Sequence, residues 1–118
     1  MKDNTIRTKS FAFALRTVKH SSALNAKKEF ILSRQLLRSG TAIGALVRES
    51  EYAESRPDFI HKLSIALKEA NETEYWMELL FKSEFISESV FTQTASDLKE
   101  ILRLLTSIIR TSKLNLKK

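Results

Sequence analysis

The chain has 118 residues, a net charge of +6, 42% hydrophobic residues, two glycines, one proline and no cysteine. That length builds one core and not two, and so few turn-forming residues argue against a strand-rich fold. The absence of cysteine excludes a disulfide scaffold and any thiolate-held zinc or iron–sulfur centre.

The first helix is expected over about residues 9–24, with Phe11, Ala14, Leu15, Val18 and Ser22 as its inward stripe. The apolar run Phe11–Leu15 is interrupted by Arg16 and Lys19, so it reads as an amphipathic helix rather than a secretory leader. After the polar stretch Asn25–Glu29, a second helix is expected over about 29–53, burying Leu32, Leu36, Ser39, Gly40, Ile43 and Val47. The run Glu54-Ser-Arg-Pro-Asp58 is the clearest boundary. Ser55 can cap the next helix, Pro57 suits its first turn, and Asp58 favours the positive end of the helix dipole.

The third helix, about 56–82, repeats Phe59, Leu63, Ala66, Ala70, Thr73, Met77 and Leu80 at alternating spacings of four and three, a heptad seam with small residues in its middle. The fourth, about 89–112, places Phe91, Ala95, Leu98, Leu102, Leu105, Ile109 and Ser112 in the same rhythm. Beside that stripe run Ile101, Leu104 and Ile108, and the extra width is expected to form a subunit interface, since one stripe suffices for a bundle. Short connections make the expected fold an all-α, antiparallel, up-down-up-down four-helix bundle in a single domain over 1–118. No segment reaches the roughly 20 apolar residues of a membrane span, and a cytoplasmic protein is expected.

Charge is distributed in blocks. Residues 1–48 carry ten Lys and Arg against Asp3 and Glu29, residues 49–100 carry twelve acids against five bases, and residues 101–118 carry five bases and no acid. Such blocks fit either pairing within the bundle or an extended cationic face for phosphate. The candidate nucleic-acid contacts are Lys19, Lys27, Lys28 and Arg34, with Arg16 next. The up-down topology should also gather Arg7, Lys9, Arg110, Lys113, Lys117 and Lys118 near Glu51 and Glu54 at one end.

Catalytic and metal chemistry find little footing. Di-iron bundles need two Glu-x-x-His motifs, and the nearest match here, Asp58-Phe-Ile-His61, stands alone. His20 has no ligand type three or four residues away, so no metal and no cofactor are expected. Glu69, Glu72 and Trp76 share one face of the third helix. Two carboxylates can do acid–base work, but the simpler reading has Glu69 or Glu72 meeting Arg38 across a seam thinned by Gly40 and Gly44. Breaking such a pair, if buried, costs about 3–5 kcal/mol. The spacing Gly40-Thr-Ala-Ile-Gly44 is read as close helix contact, because it sits mid-helix and lacks the Lys-Ser/Thr of a phosphate loop. Tyr75 and Trp76 could stack on bases, yet beside a heptad seam they read first as core or interface.

The string from Gln35 to Ala45, then Glu49, then Asp58–Ala66 and Lys68–Trp76, closely resembles the bacterial 23S rRNA intervening-sequence proteins, and Ser10-Phe-Ala-Phe-Ala14 fits as well. The resemblance implies a four-helix bundle without enzymatic activity, similar in fold to the accessory variability determinant of diversity-generating retroelements. It further implies a homo-oligomeric ring, a pentamer, and contact with RNA or DNA. Arg38, Glu49, Glu69, Glu72 and Trp76 match the family pattern and are read as a structural polar seam. The chain departs from that pattern at Ala42, where serine is common, and at Leu46, where asparagine is common; both changes make the second helix less polar. The leading expectation is a non-enzymatic ring contacting structured RNA through its basic first two helices. The rivals are a scaffold docking a protein partner such as a polymerase or reverse transcriptase, and a carboxylate enzyme or metal protein using Glu69, Glu72 and His61.

Overall fold

The computed structural model describes residues 4–116 as four helices: α1 (Thr5–Ala26), α2 (Phe30–Ser50), α3 (Arg56–Lys82) and α4 (Glu88–Leu116). They pack as a four-helix bundle measuring 51 × 24 × 22 Å. Cross-helix pairs run in opposite senses throughout. Ser21 meets Ser33 while Arg7 meets Glu51, Arg38 meets Glu72 while Glu49 meets Lys62, and His20 meets Thr94 while Lys9 meets Glu100. The arrangement is therefore antiparallel and up-down-up-down. The first helix begins earlier than the spacing predicts and the fourth runs longer, whereas the second stops at Ser50.

Local chemistry sets the helix ends. Ser55 accepts from the Asp58 N–H at 3.2 Å, and the Asp58 carboxylate reaches back to the Glu54 N–H at 3.1 Å, a capping arrangement with Pro57 in the first turn. At the other end of the bundle α1 and α3 stop alike. Lys28 and Glu84 both take a left-handed φ of 65°, and the next N–H returns to the helix at 3.0 Å (Glu29 to Leu24 O) and 2.9 Å (Phe85 to Leu80 O). These are Schellman closures made without glycine.

Most of α2, α3 and α4 bury the side chains their periodicity predicts. The main cluster joins Ile43 and Val47 to Leu63, Ala66, Ala70, Leu98, Leu105 and Ile109, and a smaller one joins Leu24, Leu36, Met77 and Leu80. At the start of α3 it is Ile60 rather than Phe59 that is fully buried, and Leu32, Phe91, Ala95 and Leu102 are only partly covered.

The first helix departs from expectation. Its buried face is Ile6, Ser10, Phe13, Thr17, Ser21 and Leu24, while Phe11, Leu15 and Val18 are 50–53% exposed and Ser22 is exposed. The cause lies on α2. A Cβ on Gly40 would sit 2.6 Å from Thr17 Cγ2, and one on Gly44 would sit 3.2 Å from the Ser10 carbonyl oxygen. Backbones this close leave room only for small side chains, so α1 turns its hydroxyls inward and its bulky stripe outward. The hydroxyls are satisfied there: Thr17 donates to Phe13 O (2.9 Å), and Ser21 and Ser33 bond each other (2.6 Å) while Ser33 donates to Ser21 O (3.0 Å).

The fourth helix requires a second correction. Ile101, expected at a subunit interface, is 1% exposed and belongs to the main cluster, against which Leu104 and Ile108 also pack. The wide apolar face of α4 is used within the bundle, because it packs into one cluster with Phe13 of α1, Ile43 and Val47 of α2 and Leu63, Ala66 and Ala70 of α3.

Candidate nucleic-acid interface

The cations expected on the first two helices divide into engaged and free groups. Arg16 forms an ion pair with Asp97 of α4, and its neighbour Lys9 pairs with Glu100 at 3.1 Å. Lys27 donates from Nζ to the Phe85 carbonyl at 3.0 Å, tying the α1–α2 turn to the α3–α4 turn. Lys19, Lys28 and Arg34 are exposed and have no carboxylate partner among the described residues. At the opposite end Arg7 reaches Glu51 at 3.1 Å, while Arg110 and Lys113 remain exposed; Lys117 and Lys118 lie outside the described residues.

On the outer face of the same helix pair the exposed apolar stripe borders a groove of about 250 Å³, lined by Phe11, Ala14, Thr41, Gly44, Ala45 and Arg48. The Arg48 guanidinium covers the Phe11 ring at 5.1 Å from its centroid. Small residues floor this groove for the same reason that α1 is inverted: close backbones leave no bulk at the seam.

The polar seam is real but lies at the surface. Arg38 bridges both carboxylates, Glu69 at 3.2 Å and Glu72 more closely, and the Trp76 indole N–H donates to Glu72 at 3.0 Å. Spacings of three and four residues bring Glu69, Glu72 and Trp76 to one edge of α3. The Arg38 side chain keeps 49% of its surface, against 16% for Glu69, so the expectation of a buried pair with its full desolvation cost is corrected to a partly solvated network. Glu49 stands apart from it and pairs with Lys62 at 3.2 Å. Beneath the seam, Thr73 and Ser39 are fully buried and hydrogen-bonded at 2.9 Å.

His20 sits between α1 and α4, its Nε2 3.3 Å from Thr94 Oγ1, and its pKa is lowered below the ordinary value of 6.5 by burial and then by the nearby Arg16 charge. It favours the neutral form. His61 is exposed, and no three of His, Cys, Asp and Glu gather closely enough to hold a metal ion among the described residues. Glu69 and Glu72 are occupied by Arg38 and Trp76. No described helix is long and apolar enough to cross a membrane.

Sequence reasoning missed two surface features. The outward turn of Phe11, Leu15 and Val18 was signalled only indirectly, by glycines on a different helix. Of the exposed cations of α4, Arg103, Arg110 and Lys113 were legible as a charge block at the chain's end but not as one face, and Lys99 fell within the acidic block before it.

Fold and surface together define a small all-α four-helix bundle whose distinctive features are charged and apolar faces rather than an enclosed cleft. The chain belongs to the 23S rRNA-intervening sequence protein family, whose profile matches residues 2–107. It is similar, with a TM-score of 0.87 and 54% identity, to a crystal structure from Bacteroides thetaiotaomicron VPI-5482 described as a protein of unknown function from the S23 ribosomal protein family. That likeness covers 88% of this chain and 97% of the other. No curated protein matches the chain.

Proposed function

We propose that this protein is a non-enzymatic binding module that assembles with copies of itself into a ring and contacts nucleic acid through phosphates. The observation that carries this reading is the surface of α1 and α2, which exposes an apolar stripe together with Lys19, Lys28 and Arg34, cations that no carboxylate neutralises among the described residues. A monomer gains nothing by exposing three large apolar side chains in register, whereas a copy of the chain packed there would bury them.

The matching surface is on α3. Tyr75 is 58% exposed and lines a shallow hollow with Glu78, Leu79 and Lys82, while Glu74 is exposed beside it. An apolar pair flanked by acids complements a surface that exposes an apolar stripe together with cations. Joining two different patches is a heterologous contact, which closes into a ring when the rotation between copies allows. Light scattering tests this part. Leu15→Glu with Val18→Glu should reduce the molar mass to that of one chain while far-UV circular dichroism stays helical. An unchanged mass would place the contact elsewhere.

Nucleic-acid contact is tested by fluorescence anisotropy of the wild-type protein with a structured ribosomal RNA fragment and with duplex DNA across a salt series. Saturable binding that weakens steeply with salt is expected, the slope on a duplex counting about 0.9 per phosphate engaged. Flat anisotropy at low salt would favour a scaffold for a protein partner.

A further inference from the structure

Resting on the nucleic-acid reading above, we infer that the exposed face of α4, carrying Lys99, Arg103, Arg110 and Lys113 with the hydroxyls of Thr106 and Ser107, is a second phosphate-binding track. The four cations recur at spacings of four, seven and three residues, which returns each to the same side of the helix, and all are exposed. From Lys99 to Lys113 the row spans about 21 Å at 1.5 Å per residue. A duplex presents one negative charge per about 1.7 Å of axis, so a length of about 21 Å offers about 12 phosphates. Lys99, Leu102, Arg103, Thr106, Ser107 and Arg110 line a continuous open trough there.

Three observations favour phosphate over other anionic surfaces. First, none of the four cations is in an ion pair among the described residues, in contrast to Arg7, Lys9, Arg16 and Arg38. Of the acids on the same helix, Asp97 is matched by Arg16 and Glu100 by Lys9, while Glu88 stands at the first turn, about three turns before Lys99 and outside the row. The cations of α1 thus neutralise the two carboxylates whose field would otherwise reach this face.

Second, the exposed side chains between Arg103 and Arg110 are the hydroxyls of Thr106 and Ser107, which contact phosphate oxygens alongside Arg and Lys. Third, along the row from Lys99 to Arg110 the apolar residues of α4 are committed to the core: Leu98, Ile101, Leu105 and Ile109 are buried, Leu102 packs against the same cluster, and the exposed Leu114 and Leu116 lie beyond it in the last turn. A helix that lies on a lipid surface needs an apolar face to insert, and a protein interface needs buried aromatic or aliphatic anchors. This face supplies neither. It supplies charge and hydrogen-bond donors, which grip a backbone without reading sequence.

The test compares two charge-reversed proteins, Arg103→Glu/Arg110→Glu on α4 and Lys19→Glu/Arg34→Glu on α1–α2, with wild type in the same anisotropy titration. The probes are a labelled RNA hairpin and a duplex DNA, with unlabelled poly-glutamate of matched charge as competitor, and circular dichroism and light scattering check fold and mass. Loss of the two arginines should weaken binding on the order of tenfold at low salt and lower the salt slope by about two, equally for different sequences. Should charge reversal perturb the fold, Arg103→Gln/Arg110→Gln carries the same slope prediction. Unchanged affinity and slope in the α4 protein, with binding lost in the α1–α2 protein, would overturn the α4 track and leave the broader reading intact. Wild-type protein that binds neither probe would overturn both. Poly-glutamate that competes as well as RNA would overturn the phosphate assignment in favour of an acidic polypeptide.

Discussion

Between α1 and α2 the backbones meet at Gly40 and Gly44, and the contact is filled by Ser10, Thr17, Ser21 and Ser33. Between α3 and α4 it is filled by Leu63, Ala66, Ala70, Leu98, Leu105 and Ile109. The first seam is held by proximity and hydrogen bonds, and it pushes the large side chains of α1 to the surface. The second is held by apolar burial, and it draws the large side chains of α4 inward, leaving a polar cationic exterior. One bundle therefore shows two kinds of outer face, one exposing an apolar stripe together with cations and one almost purely cationic, and each follows from how tightly the seam beneath it closes.

The strongest test of that contrast replaces the same residue type on both sides. Leu105→Ala should cost about 2–5 kcal/mol in urea unfolding, since it empties a fully buried site. Leu15→Ala should change the stability of the isolated protomer by no more than about 0.5 kcal/mol. Equal losses would mean that α1 is rotated so that Leu15 points inward, and the contrast would collapse.

The next effect sharpens the tight seam. Gly40→Ala gains about 1 kcal/mol of helix propensity but drives its methyl into Thr17, and overpacking of this kind costs about 1–3 kcal/mol. A net loss of about 1–2 kcal/mol is expected. Thr17→Ala removes both side-chain atoms nearest the new methyl, so the double variant should recover stability relative to Gly40→Ala alone. Additive losses in that double-mutant cycle would show that Gly40 is not needed for close approach.

How much of this was legible in the sequence depended on where the controlling information sits. The inward face of α3 was legible from Leu63 to Leu80 because its own spacing determines it; only the adjacent Phe59 and Ile60 competed for the first position. The face of α1 was not. Phe11, Leu15 and Val18 keep a better apolar rhythm than the true inner face, and the decisive constraint belongs to glycines on the neighbouring helix. The same logic applies to the site. Arg38 with Glu69, Glu72 and Trp76 was legible because three of the four share one helix edge at spacings of three and four residues. The engagement of Arg16 by Asp97 was not, since its partner lies on the last helix and only the assembled bundle brings it near.

At the α2–α3 edge the effects become smaller. Glu72 holds both Arg38 and the Trp76 indole, whereas Glu69 holds Arg38 alone. Glu72→Ala should lower stability by about 1 kcal/mol, and Glu69→Ala by less, because Arg38 is half solvated and screened. Equivalent thermal unfolding of the two variants would show that the indole bond adds nothing to the ion pair.

The smallest effect probes the polar closure of α1 on α4, where neither kind of seam operates. His20 has its pKa lowered in the folded chain, first by burial and then by Arg16, so the unfolded chain binds its proton more readily. Wherever the unfolded state holds more protons, stability rises with pH. The contribution of His20 is therefore neutral above its ordinary value of 6.5 and becomes destabilising as pH falls below it towards the lowered folded value. Comparing wild type with His20→Gln in urea unfolding between neutral and mildly acidic pH isolates this term, because the neutral amide cannot take up the proton. The variant should lose less stability than wild type on acidification. Removing Arg16 with Arg16→Gln should narrow the gap, since one of the two causes of the lowered pKa goes with it. Parallel pH profiles for wild type and His20→Gln would mean that the imidazole protonates in place, and that the α1–α4 flank is wet rather than closed.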